Sequence, residues 1–213
     1  MTGRSFVRAG SAIALVSLIA IAAILLGSGS SSTRRWTFDS GGVPSDLVAR
    51  AGPWAIESNT LVSREGPGPA VLLAEKSTLR DFTAVTRCKD ECGIVFRYRD
   101  DRHYEIVRLD PVTQRAILAS VSDGQEHLLA SAPIEVVPGS WHELRIDTNA
   151  GVLRVALDRR LLIATSEGLY ASGGAIGLWA PPGVAYFDEL SIAALTDSPR
   201  TLGLLPAAAR PRG

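Results

Sequence analysis

The feature that most constrains this chain is a ladder of short runs between residues 82 and 192, in which apolar and polar side chains alternate. A period of two is typical of half-buried β-strands. Between the runs stand Asp, Asn, Gly and Pro, which suit tight turns. So many short strands in succession predict an all-β sandwich or barrel. The runs cover residues 82–87, 93–99, 104–109, 116–122, 127–132, 141–147, 152–157, 161–165, 175–180 and 184–192, after earlier runs at 36–39, 54–57, 60–63 and 71–74.

Alternation also predicts which side chains share a face of a sheet. In the run 93–99, it places Ile94, Phe96 and Tyr98 on one face and Arg97 on the other. Neither face of this run is purely polar, which suits a curved sheet whose outer layer is partly covered.

The first 27 residues differ from everything that follows. Arg4 and Arg8 precede the apolar run 9–26, which is interrupted only by Gly and Ser. A basic start followed by an apolar stretch is typical of an export signal. The run also reaches the roughly 18 residues that a membrane-spanning helix needs. We therefore expect an N-terminal hydrophobic helix that is either a cleaved signal peptide or an uncleaved transmembrane anchor.

This segment predicts the location of the rest of the chain. The positive-inside tendency would keep Arg4 and Arg8 in the cytoplasm. The remaining chain would then be extracytoplasmic on a single-pass anchor, or secreted if the segment is cleaved. The predicted organisation is a signal peptide or anchor at 1–27, a flexible Gly/Ser linker at 28–35, a β-sandwich at 36–193 and a disordered tail at 194–213.

The charge balance bears on the class of partner. The chain has 22 Lys and Arg against 22 Asp and Glu, so its formal net charge is +0. Nucleic-acid binders draw most of their affinity from a basic face. We therefore do not expect a nucleic acid among the partners.

The two cysteines, Cys88 and Cys92, flank a polar three-residue turn between two strand-like runs. Cross-strand neighbours at the neck of a hairpin lie near disulfide distance. An exported domain experiences an oxidising environment. We therefore expect a disulfide at a hairpin, since a zinc site would need two further ligands and a redox dithiol closer spacing.

Landmark residues across the predicted sandwich resemble the concanavalin A-like lectin/glucanase superfamily, a laminin-G-like jelly roll. More narrowly, they resemble bacterial 3-keto-disaccharide hydrolase-like domains. The resemblance implies a two-sheet antiparallel jelly-roll sandwich, a fold that hosts lectins, glycosidases and adhesion modules. The landmarks are Trp36-Thr-Phe-Asp39, Gly93-Ile-Val-Phe-Arg-Tyr98, Gly174-Ala-Ile-Gly-Leu178 and Phe187-Asp-Glu-Leu190, with the segments 54–61, 104–110, 138–146 and 152–158.

One position departs from the family pattern. The usual Asp-Gly hairpin is replaced by Asp158-Arg159, so we expect that turn to have another geometry.

The sequence lacks the motifs that are typical of hydrolases. Glycosidases of this fold carry Glu-x-Asp-x-x-Glu on one strand, which places alternate carboxylates on one face as acid and nucleophile. No Glu in this chain begins that motif, and no Gly-x-Ser-x-Gly or His-Glu-x-x-His occurs. We favour a non-catalytic module that binds a glycan or another cell-envelope ligand. The alternatives are a glycoside-processing hydrolase that uses Glu105 or Asp110, and a structural module that interacts with envelope proteins.

A glycan site would need aromatic and polar side chains on one face of a sheet. The concave sheet would present Arg97, Tyr104, Arg108 and Trp179 to the ligand. Aromatic faces stack on sugar rings, and guanidinium groups bond hydroxyl or carboxylate oxygens. In the alternative interpretation the two aromatic residues belong to the core and the arginines cover an apolar sheet with their stems.

A structural Ca²⁺ would be the only cofactor. Asp39 and Asp188 lie near the predicted terminal strands, where related sandwiches hold such an ion. Two carboxylates are few for an ion that takes six to eight oxygens. The alternative is that both carboxylates are solvated or cap turns.

Overall fold

The computed structural model describes residues 32–39, 41–166 and 173–195, and every regular element in these ranges is a β-strand. The alternating runs therefore form strands as predicted. The strands are β1 (Thr33–Thr37), β2 (Leu47–Ala51), β3 (Trp54–Glu57), β4 (Thr60–Ser63), β5 (Ala70–Leu79), β6 (Phe82–Lys89), β7 (Cys92–Asp100), β8 (His103–Asp110), β9 (Arg115–Ser122), β10 (Gln125–Pro133), β11 (Trp141–Asn149), β12 (Val152–Leu157), β13 (Arg160–Ser166), β14 (Gly174–Ala180) and β15 (Ala185–Ala194).

The strands form two antiparallel sheets. The large sheet has eight strands in the order β13-β12-β11-β6-β15-β4-β3, with β1 also paired to β15. The small sheet has seven strands in the order β10-β9-β8-β7-β14-β5-β2. Neighbours in each sheet are often distant in sequence, as in a jelly roll. The predicted all-β, two-sheet antiparallel sandwich is confirmed.

The main core lies between the two sheets and follows the alternation of the strands. On β6, the alternate residues Phe82, Ala84, Thr86 and Cys88 are buried, whereas the residues between them are partly or fully exposed. Phe82 of the large sheet meets Phe96 of the small sheet with ring centroids 6.1 Å apart. Each such ring contributes roughly 1.5–3 kcal/mol through burial, so this contact helps to hold the two sheets together.

The first two strands differ from the prediction. β1 begins at Thr33, inside the segment 28–35 that was predicted as linker. It is ordered there because it pairs with β15 and because Arg35 bonds Glu189 at 2.6 Å. The strand β2 was not predicted at all, since its five residues include only a weak alternation.

The predicted N-terminal hydrophobic helix at 1–27 and the tail beyond residue 195 lie outside the described residues. Within the part of the chain that is described, no helix is long and apolar enough to cross a bilayer.

The predicted disulfide is present, but its setting is not a hairpin. Cys88 and Cys92 are bonded to each other, with Cα atoms 6.3 Å apart. β6 belongs to the large sheet and β7 to the small sheet, so the intervening turn is an arch between layers. The disulfide therefore joins the two sheets at one end of the sandwich.

The turn at Asp158-Arg159 has the geometry of the usual Asp-Gly hairpin, so the prediction of another geometry is wrong. Leu157 pairs with Arg160, so the loop between β12 and β13 has two residues. Both have positive φ, 48° at Asp158 and 68° at Arg159, as a type I′ turn requires. The Asp158 carboxylate helps to hold this conformation by accepting bonds from the Glu143 backbone N–H and from His142.

Candidate functional site

A second apolar cluster covers the face of the small sheet that points away from the main core. On β8, Ile106 belongs to this outer cluster while its neighbour Val107 belongs to the main core. The outer face thus has its own packed layer, rich in aromatic rings. Its buried members are Val71, Leu73, Val95, Tyr98, Tyr104, Ile106, Ala119, Val121 and Trp179.

A backbone irregularity in β7 brings Tyr98 to this outer face. Arg97 has a φ of 51°, and the pairing of β7 with β8 shifts between Phe96 and Asp100. Such a bulge reverses the side on which the following residues point. Tyr98 therefore packs in the outer cluster with Val95, and not with Phe96 as simple alternation predicted.

The same irregularity buries the Arg97 side chain completely. Its Nη1 lies 3.1 Å from Oε2 of Glu105, and both side chains are 0% exposed. The Arg97 guanidinium lies 5.8 Å from the ring centroid of Phe96, a residue of the main core. The predicted ligand-binding role of Arg97 is therefore not supported, because its side chain is buried against Glu105.

Tyr98 and Tyr104 form the central contact of the outer face. Their rings are stacked, with centroids 5.8 Å apart and planes inclined by 25°. The Tyr98 hydroxyl donates a hydrogen bond to the Asp101 carboxylate. Burial raises the pKa of Tyr98, and the bond to Asp101 raises it further. Burial also raises the pKa of Tyr104, so both hydroxyls stay protonated near neutral pH.

These tyrosines line the first of three adjoining cavities. This cavity has a volume of about 340 Å³, and its lining also includes Asp101, Pro67 and Gly52. Gly52 is required there, since a Cβ at this position would lie 2.4 Å from the Cβ of Ala70.

The second and third cavities extend the first along the same face. The second, about 500 Å³, shares Tyr98 and Asp101 with the first, and its lining adds Arg50. The third, about 400 Å³, shares Arg50 and Ala175 with the second. We refer to these three cavities together as the groove.

The groove offers both acceptors and donors beside its aromatic wall. Asp101 supplies a carboxylate and Arg50 a guanidinium group. Hydroxyl-rich ligands suit such a surface because their apolar C–H faces pack on rings while their hydroxyls bond charged groups. The arrangement is therefore suited to binding a polyhydroxylated molecule.

Arg108 and Trp179 meet on the same outer face, outside the lining of the groove. The Arg108 guanidinium lies 5.8 Å from the Trp179 ring centroid. Gly93 stands between them in the register of the sheet. Two of the Arg108 nitrogens are engaged, with Glu91 and Glu126 each at 3.2 Å. The indole Nε1 of Trp179 is buried and forms no hydrogen bond of normal geometry within the described residues.

The four residues predicted to bind ligand thus divide between three environments. Tyr104 lines the groove, Arg108 and Trp179 form a neighbouring contact, and Arg97 lies elsewhere. Sequence reasoning missed Tyr98, Asp101 and Arg50. The only indication of Asp101 in the sequence is the turn signal Asp100-Asp101 directly after the run 93–99.

The residues predicted to hold Ca²⁺ do not form an adequate ligand set. Asp188 bonds Arg87, with Nη1 and Oδ2 2.8 Å apart, and Asp39 is exposed. Among the residues that the structure describes, no three His, Cys, Asp or Glu side chains are grouped so that they could hold a metal ion. The calcium site stays a prediction that this arrangement does not favour.

The carboxylates that the hydrolase alternative would use also lie away from the groove lining. Glu105 is fully buried against Arg97. The Asp110 carboxylate accepts bonds from the backbone N–H groups of Val112 and Thr113 and so caps the turn after β8. Although partial burial acts to raise it, these bonds hold the pKa of Asp110 below its ordinary value.

Comparison with solved structures identifies the fold. The carbohydrate-binding module CBM66 from Bacillus subtilis matches with a TM-score of 0.58 at 18% identity, over 70% of this chain and 92% of that one. The carbohydrate recognition domain of Emp46p in its metal-free form matches with a TM-score of 0.54 at 12% identity, over 70% and 88%. The fold is a concanavalin A-like jelly roll.

A third jelly roll, the apo Crh5 transglycosylase, matches with a TM-score of 0.58 at 12% identity, over 78% of this chain and 85% of that one. At these identities, the likeness establishes the architecture alone. No protein-family model matches the chain, and no curated protein matches it either.

Proposed function

We propose that this jelly roll is a non-catalytic carbohydrate-binding module and that its ligand is a neutral glycan held in the groove. The observation that carries the proposal is the Tyr98–Tyr104 stack beside the Asp101 carboxylate in the 340 Å³ cavity. The names of the structural neighbours, a carbohydrate-binding module and a carbohydrate recognition domain, support the same class of ligand.

Each component of the groove has a distinct part in this proposal. The two tyrosines are each 8% exposed, and the parts of their rings that line the cavity would contact the C–H face of a sugar. Asp101 accepts hydrogen bonds from sugar hydroxyls, and Arg50 donates to ring or hydroxyl oxygens. Because Asp101 is itself held by the Tyr98 hydroxyl, its carboxylate is oriented before the ligand arrives. Such preorganisation lowers the entropic cost of binding.

We further propose that the module acts outside the cytoplasm, either on a single-pass anchor or after secretion. The basic and apolar character of residues 1–27 supports this location. The Cys88–Cys92 disulfide supports it as well, because disulfides persist in oxidising compartments.

The binding proposal is tested by titrating the full-length chain with neutral oligosaccharides of glucose, mannose, xylose, fructose and N-acetylglucosamine. We expect at least one of them to bind. For that sugar, Asp101→Asn and Tyr104→Ala should each weaken binding about tenfold. The first removes a charged hydrogen-bond acceptor, and the second removes a ring contact.

Arg154→Ala is the matched control, because Arg154 is exposed on β12 of the large sheet. It should leave the affinity unchanged. Absence of binding to every sugar class, or an affinity that neither groove variant alters, would overturn the proposal.

Hydrolysis is the less favoured function. Of the carboxylates that hydrolysis would use, Glu105 is buried with Arg97 and Asp110 caps a turn. A role as a protein-interaction module of the envelope is likewise not preferred, because the groove has the size and chemistry of a small-ligand site.

A further inference from the structure

The outer face of the large sheet holds a lysine between two aromatic rings. The Nζ of Lys89 lies 4.2 Å from the ring centroid of Tyr186 and 5.3 Å from that of Trp141. The register explains the contact, since Lys89 pairs with Trp141 on one side and with Tyr186 on the other. All three residues are half-buried. The rings therefore fix the position of the ammonium group while leaving part of it accessible.

This lysine differs from the neighbouring arginines, each of which is paired with a carboxylate. Arg87 precedes it on the same face of β6, and bonds Asp188 at 2.8 Å. Arg64 bonds Glu57 at 2.6 Å. Lys89 forms no ion pair with a carboxylate among the described residues. Its ammonium is thus a cation that the protein holds by rings and does not neutralise.

A cavity is lined in part by Tyr186, one of the two rings that contact Lys89. The cavity has a volume of about 420 Å³, and its lining also includes Val62, Val184, Glu57 and Arg64. Val184 is 41% exposed, so part of the lining is apolar and open to a ligand. Two carboxylates also line the cavity. Glu57 is paired with Arg64, and Glu65 is exposed to water, which weakens its repulsion of an anion.

We propose that Trp141, Lys89 and Tyr186 form a second binding site, whose ligand is an acidic saccharide with uronate residues. Successive strands lie about 4.8 Å apart, so the two rings flank Lys89 on either side along one row. Sugar rings can stack on Trp141 and Tyr186 while a uronate carboxylate bonds the ammonium between them. A neutral sugar would leave the cation without a partner, and a free inorganic anion would not use the rings.

This site is separate from the groove, because it lies on the other sheet of the sandwich. The groove is lined by strands of the small sheet, whereas Trp141, Lys89 and Tyr186 belong to β11, β6 and β15 of the large sheet. The inference therefore does not rest on the function proposed for the groove, and each can fail alone.

The test is a calorimetric titration of the full-length chain with α-1,4-linked trigalacturonate. Its methyl ester, which lacks the charges, is the matched ligand. We expect the acid to bind, and the ester to bind at least tenfold more weakly. Lys89→Met should weaken binding of the acid about tenfold to a hundredfold. Lys89→Arg should retain most of the affinity, since it keeps the charge.

Two controls make the result specific. Tyr104→Ala alters the groove alone and should leave trigalacturonate binding within about twofold of the unmodified chain. Circular dichroism of Lys89→Met and Lys89→Arg verifies that both variants fold. The proposal is overturned if trigalacturonate does not bind, if the ester binds as tightly, or if Lys89→Met has no effect. Displacement of the ligand by equimolar inorganic phosphate would overturn it too, by reducing the site to a simple anion site.

Discussion

At the residue scale, the contact with the largest energetic consequence is the ion pair between Arg97 and Glu105. Both side chains are fully buried, with the paired atoms 3.1 Å apart. Gly174 packs directly on the Arg97 backbone, and a Cβ there would lie 2.4 Å from the Arg97 carbonyl carbon. Burying two charges is costly, and removal of one partner leaves the other uncompensated.

We therefore predict that Glu105→Gln lowers the free energy of unfolding by about 3–5 kcal/mol, measured by urea denaturation. The matched control is Glu57→Gln, which removes an exposed pair with Arg64 and should cost about 0–1 kcal/mol. An equal loss of unfolding free energy in the two variants would show that the buried pair stabilises the fold no more than the exposed pair does.

The second residue-scale prediction concerns Arg159, whose φ of 68° places an ordinary L-residue in the left-handed region. An L-residue in that region costs about 1–2 kcal/mol. Glycine avoids this cost, although its greater entropy in the unfolded chain offsets part of the gain. Arg159→Gly should raise the free energy of unfolding by about 0.5–1 kcal/mol.

Thermal denaturation measures this gain. Arg154→Gly, in the regular part of β12, serves as the control and should destabilise the protein by about 0.5–1 kcal/mol. If Arg159→Gly were also destabilising, the turn would owe its stability to the arginine side chain.

At the scale of elements, alternation predicted most strands but not their irregularities. Tyr104 and Ile106, two residues apart on β8, share the outer face as the alternation of a strand requires. The face of Tyr98 was predicted wrongly, because the positive φ at Arg97 depends on packing that a single sequence does not reveal. The groove could not be predicted for the same reason, since it combines Tyr98 with Asp101 and Arg50 from separate strands and turns.

The arch between β6 and β7 gives the element-scale prediction. Its disulfide closes a loop of only a few residues, and chain entropy then accounts for about 2 kcal/mol. Replacing Cys88 and Cys92 by serine together should lower the free energy of unfolding by about this amount while the fold persists.

Urea denaturation of the double variant and of the unmodified oxidised chain, both monitored by tryptophan fluorescence, gives the comparison. A variant that no longer folds would mean that the disulfide does more than restrict the unfolded chain.

At the scale of the whole molecule, several carboxylates make stability depend on pH in the acid range. Burial tends to raise the pKa of Asp147, but bonds from Arg145 and Thr83 outweigh it and hold the pKa below its ordinary value. Hydrogen bonds likewise lower the pKa of Asp158 against the effect of burial. A carboxyl group whose pKa is lower in the folded state stabilises the fold above its unfolded pKa of about 3.9.

That stabilisation is lost as the pH falls through the folded pKa. We therefore predict that the urea midpoint decreases steeply below about pH 4. Asp147→Asn should lower the midpoint at pH 7 and make its fall between pH 5 and pH 2.5 shallower. An unchanged acid slope in the variant would exclude Asp147 as a contributor.

The overall architecture was the most predictable property, because it depends on many alternating runs and turn residues at once. The jelly roll and the disulfide are as predicted. The disulfide joins two layers, which the sequence did not show, because its spacing suits an arch as well as a hairpin. Ligand sites depend on a few side chains from distant strands. Of the four residues predicted to bind ligand, Tyr104 alone lines the groove, and its role in binding stays a prediction.

The central claim is that the groove on the small sheet binds a neutral glycan, and chemical-shift mapping tests it most directly. The ¹⁵N-labelled full-length chain is titrated with the neutral oligosaccharide that binds most tightly. The account predicts the largest shifts at the amides of Tyr98, Asp101, Tyr104 and Arg50, with little change on the large sheet. Shifts confined to the large sheet, or none at saturating sugar, would contradict it.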